Sequence, residues 1–324
     1  MYKEICQAIR SCHSFVVISH IRPDGDATGS TLALGLGLRS LGKKVRMWNR
    51  DGAPKLFSFL EGSREVECIP PALPEDVDCF ICVDTADLKR IGDEGVKRFN
   101  QAPLTLNIDH HHTNKRYANI NVVGGHDAAC GCLIYELLRE LGVKLNKAMA
   151  EALYAAISTD TGSFQYSATT PRVMRIVADI MEAGVDVEEI NRMIYDENPL
   201  IKQKVEVEVL TNMVFEENGA ISHYSMTKET KERLQLDMEA TKDLVDIIRK
   251  WQGVKACAIF EEEHDDVIRI SLRSKDPRID VSAIAAKHDG GGHRRAAGIR
   301  MRGELAACRE AVLNSIKETL RSLS

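Results

Sequence analysis

Two rhythms of apolar and polar positions run through the first half of the chain. Continuous apolar runs at 14–19 (SFVVIS), 45–48, 78–83 and 104–108 read as strands buried on both faces. Apolar and small residues spaced three and four apart predict helices over 27–41, 128–141 and 147–157. Strands alternating with helices imply crossover connections, and so a mostly parallel sheet with helices on both faces. In such sheets ligands bind beyond the carboxyl ends of the strands.

A further helix is expected over 172–183, with Pro171 in its first turn. The charged, helical stretch 185–209, interrupted only by Pro199, reads as a connector. Strands at 219–226, 256–261 and 267–272 and helices at 231–236, 240–251, 282–287 and 304–323 then form a smaller domain. The expectation is an α/β protein: a first domain over 1–184, a helical connector over 185–215, a second α/β domain over 216–324, and a cleft between the two domains. At about 150 residues per domain, 324 residues suit two.

Composition narrows the class. With 44% hydrophobic and 28% charged residues, a disordered or collagen-like chain is excluded. Apolar runs such as CFICV stop far short of the roughly 18 residues a membrane helix needs. The opening MYKEICQAIRSCHSF mixes charges and lacks an apolar signal core, so a cytoplasmic protein is expected. Nine cysteines without framework spacing point to reduced thiols. Cys79 and Cys82 resemble a redox pair in spacing, but three residues apart on a strand they face opposite sides.

The net charge of −5 is unevenly spread: segment 269–302 carries nine Lys/Arg against three Asp. A compact basic patch on an acidic body suits a small anionic ligand better than long duplex nucleic acid.

The carboxylates and histidines are the decisive feature. His20-Ile-Arg-Pro-Asp24-Gly-Asp26 follows the first strand, Asp84 ends FICVD, Asp109-His110-His111 ends LTLNI, and Asp160 lies in Ser158-Thr159-Asp160-Thr161-Gly162 just after a helix. Four segments thus deliver His and Asp to one rim of one sheet. Imidazole with carboxylate suits a hard or borderline divalent ion such as manganese, whereas thiolates suit zinc. Several carboxylates around one ion would repel one another, and two ions sharing a bridging carboxylate relieve this. Such a pair can generate a hydroxide and stabilise in-line displacement at phosphorus. Gly25 and Gly29 are expected to allow the tight turn that sets Asp24 beside Asp26. Taken singly, Asp26 could cap the following helix and Asp84 a turn, but capping does not account for the four motifs together.

Later, Gly290-Gly291-Gly292-His293-Arg294-Arg295-Ala296-Ala297-Gly298 sets three glycines before a histidine and two arginines. Glycines let backbone N–H groups approach an anion, and arginines add bidentate phosphate contacts. Arg273 and Ser274 lie close upstream.

These motifs resemble those of the DHH phosphoesterase superfamily, and the glycine-rich segment resembles the signature of its DHHA1 domain. The match spans nearly the whole chain, and it is most similar to the short two-domain bacterial enzymes that degrade nanoRNA and dephosphorylate 3′-phosphoadenosine 5′-phosphate (pAp). The resemblance implies one metal ion on His20, Asp24 and Asp84 and a second on Asp26, Asp84, His110 and Asp160, with manganese favoured over magnesium or cobalt. It implies that Asp109 orients the site, that His111 contacts the scissile phosphate, and that Arg273, Ser274, Gly290, Gly291, Gly292, His293 and Arg294 hold the substrate. His293 and Arg273 would also neutralise the attacked phosphate. A proline is common where His112 stands, and His112 is expected to face solvent. Arg295 and Arg300 are weaker candidates.

The implied substrates are RNAs of about two to five nucleotides, which need few phosphate contacts, and pAp. Closure about the connector would assemble the site. Linear dinucleotides from cyclic messengers are a close variant. An inorganic pyrophosphatase would share the first four motifs but not GGGH, and a long single-strand exonuclease would need an added domain. A non-catalytic nucleotide-binding module would be expected to have lost some of these charged ligands. The residues leave the oligomeric state open, and similar proteins are compatible with a homodimer.

Overall fold

The structure is a computed structural model and describes residues 1–236, 241 and 244–323. The chain divides into two compact units, Met1–Glu197 and Asn198–Ser324. The division falls inside the stretch expected as a connector. Ile190 and Ile194 are buried in the first unit's core, whereas Val205 and Val209 are buried in the second.

In the first unit, α1 (Lys3–Ser11), β1 (Ser14–Ile18), α2 (Gly25–Ser40), β2 (Lys44–Trp48), β3 (Val66–Glu67), β4 (Cys79–Val83), α3 (Gly92–Phe99), β5 (Leu104–Asp109) and β6 (Ile120–Val123) are followed by α4 (Cys130–Leu141), α5 (Lys147–Asp160), α6 (Pro171–Glu182) and α7 (Val187–Asn191). The strands form one sheet in the order β3-β2-β1-β4-β5-β6, every pair parallel. Its apolar strands are buried on both faces, as continuous apolar runs predict. Phe15, Val17, Cys79, Ile81, Leu106 and Ile108 enter the larger core beneath α1, α2, α4 and α5. Val16, Ile18, Phe80 and Cys82 enter a second core with Trp48, Ile91 and Phe99. Cys79 and Cys82 therefore lie on opposite faces, and all nine cysteines are free.

Gly25 and Gly29 depart from their expected role. Both lie within α2 rather than in a turn, and what they provide is close approach. A methyl at Gly29 would sit on the carbonyl oxygen of Ala152, and one at Gly25 on the side chain of Thr159, both on α5. We expect Gly29→Ala to destabilise the first unit by about 1–3 kcal/mol through overpacking, read as a lower urea midpoint with an unchanged slope. An unchanged midpoint would show that α2 and α5 can separate freely.

In the second unit, α8 (Leu200–Asn212), β7 (Val214–Glu216), β8 (Ile221–Met226), α9 (Lys228–Leu234), α10 (Leu244–Ile248), β9 (Ala256–Glu262), β10 (Val267–Ser274), α11 (Val281–Ala286), β11 (Gly291–His293), β12 (Ala296–Arg302) and α12 (Leu305–Arg321) build a sheet ordered β11-β12-β10-β9-β8-β7. It is antiparallel except for β8 against β9. Part of the helix expected over 240–251 lies outside the described residues. The glycine-rich segment is a β-hairpin arm rather than a loop, with β11 paired to β12. Among the described residues no helix is long and apolar enough to cross a membrane.

Candidate metal centre

The carboxyl ends of β1, β4 and β5 open on one rim. His20 follows β1. Asp24 caps α2, accepting the Ala27 N–H at 3.0 Å, so Asp24 rather than Asp26 is the capping residue. Asp26 is the second residue of α2, within its first turn, and is buried. Asp84 follows β4, Asp109 ends β5 with His110 and His111 after it, and Asp160 is the last residue of α5 rather than a loop residue beyond it.

Asp84 is in a conformation side chains rarely adopt. Its N–H donates to Ile108 O at 2.9 Å, extending the β4–β5 ladder by one bond. Its φ of 51° then turns the chain left-handed, which an Asp tolerates better than most residues. The carboxylate, 2% exposed, lands between two imidazoles: Oδ2 is 3.4 Å from His20 Nε2, and Oδ1 is 3.4 Å from His110 Nε2. His20 Nε2 lies 3.7 Å from Asp24 Oδ2, and His110 Nε2 lies 3.7 Å from Asp26 and 3.3 Å from Asp160. Ligand atoms of His20, Asp24 and Asp84 all fall within 4.8 Å of one another, as do those of Asp26, Asp84 and His110. Asp84 is common to both groups.

The imidazole tautomers follow from their backbone partners. His20 Nδ1 lies 2.9 Å from Ile21 O and His110 Nδ1 lies 3.1 Å from Asp127 O. A carbonyl only accepts, so both Nδ1 atoms carry hydrogen, and both Nε2 atoms face the carboxylates. The 3.3–3.7 Å separations exceed the roughly 2.7–2.9 Å of a charge-assisted hydrogen bond. Asp84 Oδ1 is buried without a hydrogen-bond donor. Oriented imidazole nitrogens facing carboxylate oxygens, with a buried oxygen left over, make a donor set that fits hard or borderline divalent cations.

Electrostatics reinforce this. Burial alone would lower His20, but the Asp24 and Asp84 carboxylates outweigh it and push its pKa up to about 10. Burial, with Asp24 and Asp84 nearby and against the pull of His110, pushes Asp160 up to about 7. Burial would raise Asp84, yet His110 and His20 hold it well below the usual carboxylate range. Asp26 is raised by burial and by Asp84 and Asp160. Opposing this, it accepts the N–H groups of Cys130 at 2.5 Å and Gly131 at 2.9 Å, at the start of α4, where a helix N-terminus favours an anion. This clamp on Asp26 is invisible in the sequence, because backbone N–H groups leave no residue signature.

Asp109 and His111 form a separate contact, with Asp109 Oδ1 accepting from His111 Nδ1 at 2.7 Å. Asp109 is fully buried and His111 half-buried, while His112 is exposed.

In the second unit, Arg273 on β10 pairs with Ala296 on β12, which pairs with His293 on β11. Paired residues share a face, so Arg273 and His293 face the same side across three strands. Arg273 Nε lies 3.3 Å from Asp246 Oδ1. Ser274 is buried on the opposite face, donating to Asp276 O at 2.7 Å. Gly292 has a φ of 144°, and a methyl there would strike Ala296 O, so glycine is required. Gly290 is hemmed in by Gly298, Ile299 and Ala285, whereas Gly291 faces open space. Arg294 Nε donates to Pro277 O at 3.2 Å and Arg295 Nη1 to Lys275 O at 2.7 Å, so both brace the hairpin. Arg300 pairs with Glu263 at 3.2 Å.

A parallel sheet carrying HxxxDxD, Asp and Asp-His-His at its carboxyl rim, joined to a glycine-hairpin unit, defines a two-unit α/β protein of the DHH type. The family model for the DHH family, N-terminal domain, matches residues 14–157, and that for the DHHA1 domain matches residues 223–322. The bifunctional oligoribonuclease and PAP phosphatase NrnA of Thermus thermophilus is 30% identical over 309 residues, covering 94% of this chain and 89% of that protein. Its namesake from Bacillus subtilis is 31% identical over 92% of each. The crystal structure of an exopolyphosphatase-related protein from Bacteroides fragilis has the same fold, with a TM-score of 0.89, 24% identity and coverage of 99% of this chain and 95% of that one. The chain belongs to the DHH phosphoesterase family, in the branch that carries a DHHA1 domain.

Proposed function

We propose that this chain hydrolyses short oligoribonucleotides to mononucleotides and removes the 3′-phosphate of pAp. The observation that carries this reading is the Asp84 carboxylate shared between two His–Asp groups, in a chain about 30% identical over most of its length to proteins named for both activities. His20, Asp24 and Asp84 would hold one divalent ion, and Asp26, Asp84, His110 and Asp160 a second. Mn2+ is the ion that the family resemblance favours, and the mixed nitrogen and oxygen donors also accept Mg2+ or Co2+. When bound, such ions supply an activated water and neutralise charge on the attacked phosphate.

The chain's own residues do the rest. The Nδ1–H bonds of His20 and His110 to backbone carbonyls fix which nitrogen faces the ions. Asp109 Oδ1 holds His111 by Nδ1 and so orients the ring that contacts the scissile phosphate. Arg273 and His293, on one face of the second sheet, supply charge and hydrogen bonds to the nucleotide phosphate. Ser274 faces away, and its hydroxyl instead braces the turn after β10 by donating to Asp276 O. Nine free thiols, eight of them buried, fit the reducing cytoplasm as the place of action.

The test is one Mn2+-containing panel of pyrophosphate, pAp, a labelled dinucleotide, a linear dinucleotide of the cyclic-messenger type and a long labelled RNA, each with a chelator control. Mononucleotide release from the dinucleotide and adenosine 5′-phosphate release from pAp are expected, with little action on pyrophosphate or long RNA. Rapid pyrophosphate hydrolysis with no action on nucleotides would overturn the reading.

A further inference from the structure

A polar network lies beneath the rim, in a part of the unit that is otherwise apolar. Asn107 interrupts the apolar strand LTLNI and is fully buried, an expensive position unless its amide is satisfied. Its Nδ2 donates to Tyr117 Oη at 3.0 Å, and Tyr117 Oη donates to Thr85 O at 3.0 Å. Its Oδ1 accepts from Asn114 Nδ2 at 2.8 Å. The shortest bond in the network runs from Asn114 Nδ2 to Asp109 Oδ2 at 2.6 Å. Asp109 Oδ1, the other oxygen of that carboxylate, holds His111 Nδ1.

The amide orientation of Asn114 is settled by its partners. Its Oδ1 accepts the Arg116 N–H at 2.7 Å, and a carboxylate cannot donate, so the NH2 group must face Asp109. The Asn114 N–H also donates to His111 O at 3.1 Å, closing the turn that carries His111. Asn114 thus grips both ends of the Asp109–His111 contact: the carboxylate by its side chain and the His111 backbone by its N–H.

We propose that Asn114 is a positioning residue for the phosphoesterase reaction, setting the Asp109 carboxylate so that His111 keeps its Nδ1–H bond and presents Nε2 to substrate. The proposal rests on the function proposed above. Asn114 also reaches Thr85 O at 3.1 Å, next to Asp84. Tyr117 and Asn107 satisfy that same carbonyl, so the turn carrying Asp84 stays in place without Asn114. Its loss should therefore act through Asp109 and not through the metal ligands.

The experiment compares Asn114→Ala with Tyr117→Phe in the full-length, Mn2+-loaded protein. Asn114→Ala is expected to lower kcat on pAp by about 10–100-fold, the usual effect of losing a partner behind an active-site group, with KM and Mn2+ affinity within about threefold of wild type. The downfield His111 Nδ1–H proton resonance, recorded in the diamagnetic Mg2+-loaded protein and assigned by its loss in His111→Gln, should disappear. Tyr117→Phe removes a bond at the foot of the network but leaves Asp109 its partner. It should lower thermal stability, keep kcat within about threefold and retain the resonance. Wild-type kcat in Asn114→Ala, a kcat loss that merely follows lost metal binding, or equal kcat losses in the two variants would each overturn the proposal. Should Asn114→Ala not fold, the resonance in wild type and in Asn114→Ser decides, and a His111 without Nδ1–H in wild type overturns it. If wild type hydrolyses neither pAp nor a dinucleotide, the function reading fails while the resonance still tests the positioning.

Discussion

Asp84→Asn should lower kcat/KM on pAp and on a dinucleotide by on the order of 10³-fold while leaving the fold intact. Asn is the informative replacement because it keeps the shape of Asp and tolerates the left-handed φ of 51° at this position, where Ala would add backbone strain. The loss is large because one carboxylate serves two groups: Oδ2 faces His20 and Oδ1 faces His110, each at 3.4 Å. Exchanging it for a neutral amide removes charge from both at once and sets an NH2 donor against an imidazole nitrogen. The metal-free variant should melt modestly lower than wild type, since it loses the attraction by which His20 and His110 hold this carboxylate well below its usual range. Retained turnover would refute the shared role, and a collapsed melting temperature would recast Asp84 as a structural residue.

Metal removal should abolish turnover and reverse the way stability responds to pH. In the metal-free protein the folded-state pKa of His20 is raised to about 10 from 6.5. The stability this contributes is fully present below about pH 6.5 and is lost as pH rises towards 10. Asp160, raised to about 7 from 3.8, acts in the same direction across the lower window, because the folded chain holds a proton that the unfolded chain has released. The chelated protein should therefore melt at progressively lower temperature from pH 4 to pH 10. Mn2+ competes with those protons, so its stabilisation should grow with pH. At about 100 times its Kd, a single ion binding only the folded state adds about 2.7 kcal/mol, or roughly 5–10 °C at this chain size. Melting curves across pH, with chelator and with Mn2+, check this. Parallel curves would show that the rim does not exchange protons for metal.

The first unit was legible because its two signals are local and strong. Apolar strand runs marked β1, β2, β4 and β5, and the polar residues at their carboxyl ends marked the rim. One clearly amphipathic helix, α1, with Ile5, Cys6 and Ile9 on its buried face, was overlooked, and the other elements that escaped carry weaker patterns. α3 begins on glycine and spans only GDEGVKRF, β6 is the four-residue INVV, and β12 is AAGIRMR, poor in strand formers and alternating only in its burial. Other features could not be read at all. The N–H groups of Cys130 and Gly131 bind Asp26 through the backbone, and Ser274 adjoins Arg273 in sequence yet points to the opposite face. Asn107 was the missed clue, since a buried amide inside LTLNI needs a partner, and following that partner leads to Asn114.

The backbone contact of α2 with α5 has a consequence for engineering. Asp26 rides on the first turn of α2 and Asp160 on the last turn of α5, and the glycines of α2 let Ala152 O, Ala156 Cβ and the Thr159 side chain of α5 pack directly against its main chain. The spacing of these two acids thus follows from how closely the two helices pack. Anyone grafting this centre onto another scaffold, or recombining it with a distant homologue, would need to move the two helices as one cassette. A crossover that exchanged only one of them would carry over every acid and histidine of the motifs and still lose the spacing that makes them a site.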